Sequence, residues 1–192
     1  MKTSALSKTY NNRVVLELPE LELPDRQIIA IIGANGSGKS TFAKILAGIE
    51  RADDGKTALS GSSVGYLPQK SFPFRMSTEK NILINGNDHT RAEALMKALD
   101  IQALSSQNAK KLSGGEVARM AFCRIMMKRY DLLILDEPTA AMDMESTMAA
   151  ERLIAEACRA NGCTVLLITH SIQQARHIAD HVLFLHNGRL VE

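Results

Sequence analysis

Four short apolar runs pace the chain: residues 28–32, 132–135, 164–168 and 182–185. The first three have no polar alternation, the mark of a strand buried on both faces of a parallel sheet. Residues 14–18 (Val-Val-Leu-Glu-Leu) form a further strand candidate, and Pro19 and Pro24 confine the first 24 residues to short strands and turns. Residues 42–47 read as the start of a helix that Gly48 stops. Asp53-Asp54-Gly55 reads as a hairpin turn, with strands expected around 57–59 and 64–67. Between 90 and 104, Ala94, Leu95, Ala98, Leu99 and Ile101 recur at helical spacing, so 71–111 is expected to be mainly helical. His186-Asn187-Gly188-Arg189 closes a terminal hairpin. The pattern predicts an α/β fold. It has a core of parallel sheet flanked by helices, a small antiparallel β part and a helical insertion.

The first apolar run leads into Gly33-Ala34-Asn35-Gly36-Ser37-Gly38-Lys39-Ser40-Thr41. Strand, glycine-rich loop and helix in that order make a phosphate-binding P-loop. Glycines let the loop curl so that backbone N–H groups converge on phosphate oxygens, and the helix adds its positive dipole end. Lys39 reaches the β- and γ-phosphates, and the Ser40 hydroxyl can ligate Mg²⁺. The run 132–135 ends in Asp136-Glu137-Pro138. Ligand chemistry in open α/β sheets lies at the carboxyl ends of strands. Asp136 there suits a metal ligand, and Glu137 a base for water. His170 tips the strand 164–169 and is expected at the γ-phosphate or the attacking water.

Leu112-Ser113-Gly114-Gly115-Glu116 opens a helix with Ser113 and Glu116 at capping-box spacing. Capping leaves the two glycines unexplained, whereas close approach of a foreign phosphate explains them. Tyr10 either stacks on a nucleotide base or is a half-buried strand residue. Phe72, Phe74 and Met76 form either a satellite core or an exposed contact site. His177 and His181 are spaced i, i+4 without a third ligand, so a helix surface is expected rather than a metal pair.

Composition narrows the classes. The 192 residues suit one domain, and a net charge of +2 argues against a nucleic-acid surface. Lys110-Lys111 reads as a solvated face. No apolar run approaches the roughly 18 residues that cross a bilayer, and no signal peptide is expected at the amino terminus. Cys123, Cys158 and Cys163 lack metal or disulfide spacing and read as reduced thiols.

Taken together, these motifs resemble the ATP-binding cassette of ABC transporters, in order and over nearly the whole chain. The resemblance implies one ABC ATPase domain, 1–192, with core and β part at about 1–70 and 112–192 and a helical insertion at about 71–111. It implies that Tyr10 stacks on adenine and that Gln69 contacts Mg²⁺ and water and senses a membrane partner. Asp143 would cross a dimer interface, and His170 would act as the switch histidine. ATP and Mg²⁺ would be the ligands. Two copies would close over two ATP molecules, each held between one P-loop and the other chain's Ser113–Glu116. Transmembrane permease subunits would dock at Phe72, Phe74 and Met76 on the cytoplasmic side of the membrane, with a substrate-binding protein as a further partner. The short cassette points to a prokaryotic importer of an oxyanion such as tungstate, without a carboxy-terminal regulatory domain. Three positions depart from the usual pattern: Glu116 for glutamine, Met142 for leucine and Arg26 for glycine. A soluble cassette ATPase of translation or DNA repair would carry two cassettes or a long coiled coil. The signature glycines argue against a P-loop kinase or GTPase.

Overall fold

A computed structural model describes residues 1–57, 59 and 61–191. The chain runs through β1 (Lys2–Thr3), β2 (Leu6–Tyr10), β3 (Arg13–Leu18), β4 (Leu21–Glu22), β5 (Ile28–Ile32) and α1 (Lys39–Leu46). There follow β6 (Val64–Leu67), α2 (Thr78–Leu83), α3 (His89–Ala98) and α4 (Gly114–Met126). The last elements are β7 (Leu132–Asp136), α5 (Met144–Arg159), β8 (Thr164–Ile168), α6 (Ile172–Ile178), β9 (His181–His186) and β10 (Arg189–Leu190). The chain divides into two compact units, one of residues 1–66, 130–136 and 158 onward, the other of 67–129 and 137–157.

The first unit is built on a sheet of order β10-β9-β5-β8-β7-β6, in which β9, β5, β8 and β7 run parallel. Strands β7 and β8 are buried at every position, as expected of strands without polar alternation. Phe42 and Leu46 of α1 are buried with Ile31, Ile134 and Leu166 in one core. Strands β2 and β3 pair through a two-residue turn, Asn11-Asn12, whose positive φ values of 47° and 60° suit a hairpin. Arg26 adopts φ 57°, the left-handed backbone that glycine would supply more cheaply, and its N–H donates to the Thr164 hydroxyl. Cys123, Cys158 and Cys163 are buried free thiols.

Three expectations are corrected in the fold. Among the described residues Asp53-Asp54-Gly55 closes no hairpin; Asp54 and Thr57 instead make isolated antiparallel bridges to Ser7 and Thr3. Of the expected strand 57–59, Ala58 lies outside the described residues. His177 lies on α6 but His181 opens β9, so the two share no helix face.

In the second unit α2, α3 and α4 pack on one another around Ile82, Leu95, Leu99, Met120 and Phe122. The third correction lies here. The expected helix 90–104 stops at Ala98, Asp100 turns left-handed at φ 51°, and Gln102–Leu104 forms a separate 3-10 turn. Ala94 and Ala98 are exposed, while Ala92 and Met96 fill the buried face beside Leu95. Ser77 and Asp88 cap α2 and α3 with side-chain oxygens. The Arg91 guanidinium donates to the Met126 carbonyl at 2.8–3.0 Å, satisfying an orphan acceptor at the end of α4.

Candidate functional site

Residues 33–38 link the buried strand β5 to α1 in the first unit. Gly36 and Gly38 take φ values of 76° and 99°, which curl the loop. Gly33 is fixed by close approach as well: a Cβ there would stand 2.1 Å from the Leu185 carbonyl oxygen of β9. Helix α1 begins with Gly38 as N-cap, with no side-chain cap and no acidic residue in its first turn. Its positive end therefore has no built-in negative partner. Lys39, 5% exposed, donates to the Gly33 and Ala34 carbonyls at 2.9 Å each. Among the described residues the buried Ser37 hydroxyl finds no hydrogen-bond partner. A curled loop, an uncapped helix end, a buried ammonium and an orphaned hydroxyl together suit an anion with several oxygens. Asn35 is exposed, and Ser40 and Thr41 lie half-buried in the first turn of α1.

Asp136 ends β7 as a carboxylate only 3% exposed. The Tyr66 hydroxyl of β6 lies 3.4 Å from its Oδ2, and burial, with Asp136 beside it, raises the Tyr66 pKa. Asp136 and the Ser40 hydroxyl are oxygen donors of the kind that hard divalent cations prefer. His170 stands exposed two residues beyond β8. Tyr10, at the end of β2, is 39% exposed, and its hydroxyl donates to the Glu50 carboxylate.

The second unit carries the remaining sequence-predicted residues. The Gln69 amide donates to Glu137 Oε2 at 2.8 Å. Glu137 is held at φ 52°, an uncommon backbone state for a non-glycine residue and one that clusters at functional sites. Ser113 caps α4 through a complete capping box: its N–H donates to the Glu116 carboxylate at 2.7 Å, and its hydroxyl accepts from the Glu116 N–H. That contact holds the Glu116 carboxyl below its usual range. The two signature glycines separate here. A Cβ at Gly115 would lie 2.9 Å from the Ala141 carbonyl oxygen, so this glycine has a packing reason within the chain. Among the described residues Gly114 has nothing within 4 Å of a Cβ position and no such reason. Asp143 accepts from the Ser146 N–H at 2.8 Å at the start of α5, and Arg119 reaches the Ser146 hydroxyl at 3.1 Å. A cleft of about 380 Å³ is lined by Gln69, Phe72, Val117, Glu137 and Ala141 among others. Phe72 and Phe74 are 73% and 53% exposed, so they are no satellite core. The Asn81 side chain holds their loop by accepting from the Phe74 N–H and donating to the Phe74 and Met76 carbonyls.

Sequence reasoning missed the partners that orient these groups, Glu50, Tyr66 and Arg119. None belongs to a local motif. Only the alternation of β6, which sets Tyr66 opposite in face to Leu67, offered a signal.

The family model described as ABC transporter matches residues 16–140. The chain belongs to the ABC transporter family. It is 36% identical over 204 residues to the tungstate uptake system ATP-binding protein TupC of Peptoclostridium acidaminophilum, covering 98% of this chain and 95% of that one. It is 34% identical to the aliphatic sulfonates import ATP-binding protein SsuB of Yersinia pestis, covering 97% of this chain and 72% of that protein. Among solved structures, the RNase-L Inhibitor superposes with a TM-score of 0.88 at 29% identity. That match covers 98% of this chain, which spans 38% of the longer one. As an ATP-binding subunit of the family, the chain is an ATPase that powers transport. The P-loop NTPase fold expected from the sequence is the fold observed. Among the described residues no helix is long and apolar enough to cross a membrane.

Proposed function

We propose that this chain is the ATP-binding subunit of an importer of a small oxyanion, tungstate first among them. The reading rests on the 36% identity to the tungstate uptake subunit, which extends over 98% of the chain. In it, residues 1–192 act as one cassette. The loop from Gly33 to Thr41 holds the ATP phosphates, with Lys39 on the β- and γ-phosphates. Tyr10 stacks on the adenine. Ser40 and Asp136, with Gln69, would hold Mg²⁺, which would supply positive charge for phosphoryl transfer. Glu137 takes the proton of the attacking water, and His170 contacts the γ-phosphate. Ser113, Gly114, Gly115, Glu116 and Asp143 serve the ATP held by a second copy. A homodimer docks on permease subunits at the cytoplasmic face of the membrane through Phe72, Phe74 and Met76, and a substrate-binding protein delivers the oxyanion.

The test is uptake. Cells lacking this chain should take up radiolabelled tungstate more slowly, and the wild-type chain but not Glu137→Gln should restore the rate. Restoration of sulfonate uptake alone would reassign the cargo. No effect on either anion would remove the importer reading.

A further inference from the structure

We infer that Glu50 is a positioning residue for the nucleotide base, setting the angle of the Tyr10 ring through the Tyr10 hydroxyl. This rests on the proposal that Tyr10 stacks on adenine. The residues involved all belong to the first unit. Tyr10 ends β2, immediately before the Asn11-Asn12 turn, and Glu50 lies four residues beyond α1. The Tyr10 hydroxyl donates to the Glu50 carboxylate. The ring is thus tied to the segment that follows the phosphate-loop helix. Lys8 completes the arrangement. Its ammonium lies 5.4 Å from the Tyr10 ring centroid and 3.8 Å from Glu50, and it donates to Asp53 at 2.8 Å and to the Arg51 carbonyl at 2.9 Å.

The energetics favour a built device over a passing contact. The Glu50 and Lys8 side chains are only 22% and 14% exposed. Withdrawing two charges from water is costly unless both are well partnered. Here the ammonium neutralises the carboxylate and the phenol satisfies one of its oxygens. Tyr10 itself remains 39% exposed, so the tethered ring still offers surface for stacking. A free aromatic would lose rotamer entropy on gripping a base, whereas a ring held by its hydroxyl has lost it already. The hydroxyl therefore has a role that stacking alone does not give it.

The full-length chain is titrated by calorimetry with ATP and, separately, with inorganic tripolyphosphate, which lacks a base. Tyr10→Ala reports on stacking itself. Tyr10→Phe and Glu50→Ala remove the tether from its two ends. Each should weaken ATP binding about two- to tenfold, the range for one hydrogen bond. The double variant should be no weaker than either single one. Glu50→Gln keeps an acceptor and should stay near wild type. Tripolyphosphate affinity should be unchanged throughout. Should Tyr10→Ala weaken ATP binding while Tyr10→Phe and Glu50→Ala do not, stacking stands and the tether is overturned. Should Tyr10→Ala also have no effect, the stacking proposal itself fails. Equal loss of ATP and tripolyphosphate binding in Glu50→Ala, or additive losses in the double variant, would overturn the positioning role. If Glu50→Ala does not fold, Tyr10→Phe cuts the same bond from the other side, and its ATP titration decides alone.

Discussion

Lys39 shows how a single residue can close the phosphate loop on itself. Its ammonium is nearly buried and donates to two carbonyls of the loop that it closes. An anion with a stronger negative charge would compete for the same donors, since the ammonium is aimed into the loop. Lys39→Ala should lower ATP affinity by about 1.5–3 kcal/mol, the range for hydrogen bonds to a charged group. Equilibrium binding of a fluorescent ATP analogue measures this, and unchanged affinity would count against the loop as the phosphate site. Glu137 poses a different question. Its φ of 52° and the bond it accepts from Gln69 hold the carboxylate in place. Glu137→Gln preserves size and leaves the backbone state alone. It should bind ATP about as tightly as wild type while phosphate release nearly stops. Phosphate release at the wild-type rate would leave the proton transfer to another group.

At the scale of elements, α4 owes its start to the capping box and not to its glycines, which are poor helix formers. Ser113→Ala should destabilise the chain by about 1 kcal/mol, the usual cost of losing a cap. Urea unfolding followed by circular dichroism reads this as a lower midpoint. The same box has a pH signature. Glu116 has a depressed folded pKa, so its contribution is complete above the unfolded carboxyl range and fades as pH falls through the folded value. The penalty of Glu116→Ala, which removes the carboxylate that the Ser113 N–H meets, should therefore shrink in acid; an unchanged penalty would mean that the carboxylate contributes nothing through its charge. How much was legible in the sequence follows from how local each signal is. Strands β5, β7 and β8 were plain because a run buried on both faces has no polar interruption. The phosphate loop was plain because its residues are contiguous. The end of α3 was misread because Ala94 and Ala98 suit an exposed helix face as well as a buried one. The Ala141 carbonyl against Gly115 and the Glu50 carboxylate against Tyr10 were invisible, because each joins segments more than 20 residues apart with no periodicity to announce the contact.

For the whole molecule, the decisive question is whether ATP turnover needs two chains. Gly115 is not a clean probe of that. Any side chain there meets the Ala141 carbonyl, so a loss of function would follow from local damage alone. Gly114 is clean, since a Cβ there meets nothing within 4 Å. Aspartate at that position also sits in the first turn of α4, where negative charge favours the helix. Gly114→Asp should therefore fold normally and still bind ATP through the phosphate loop. In a shared site it would set a carboxylate against the second copy's γ-phosphate, and like charges at close range repel. Glu137→Gln with Mg-ATP should sediment as a dimer, and the double variant Glu137→Gln with Gly114→Asp as a monomer. Turnover per chain of the wild type should rise with protein concentration in the dilute range, because association would limit the active species. A Glu137→Gln chain that stays monomeric at saturating ATP and high concentration would falsify the shared site for the isolated subunit. If instead both variants dimerise, the carboxylate does not meet the phosphate, and the copies associate through a surface other than the start of α4.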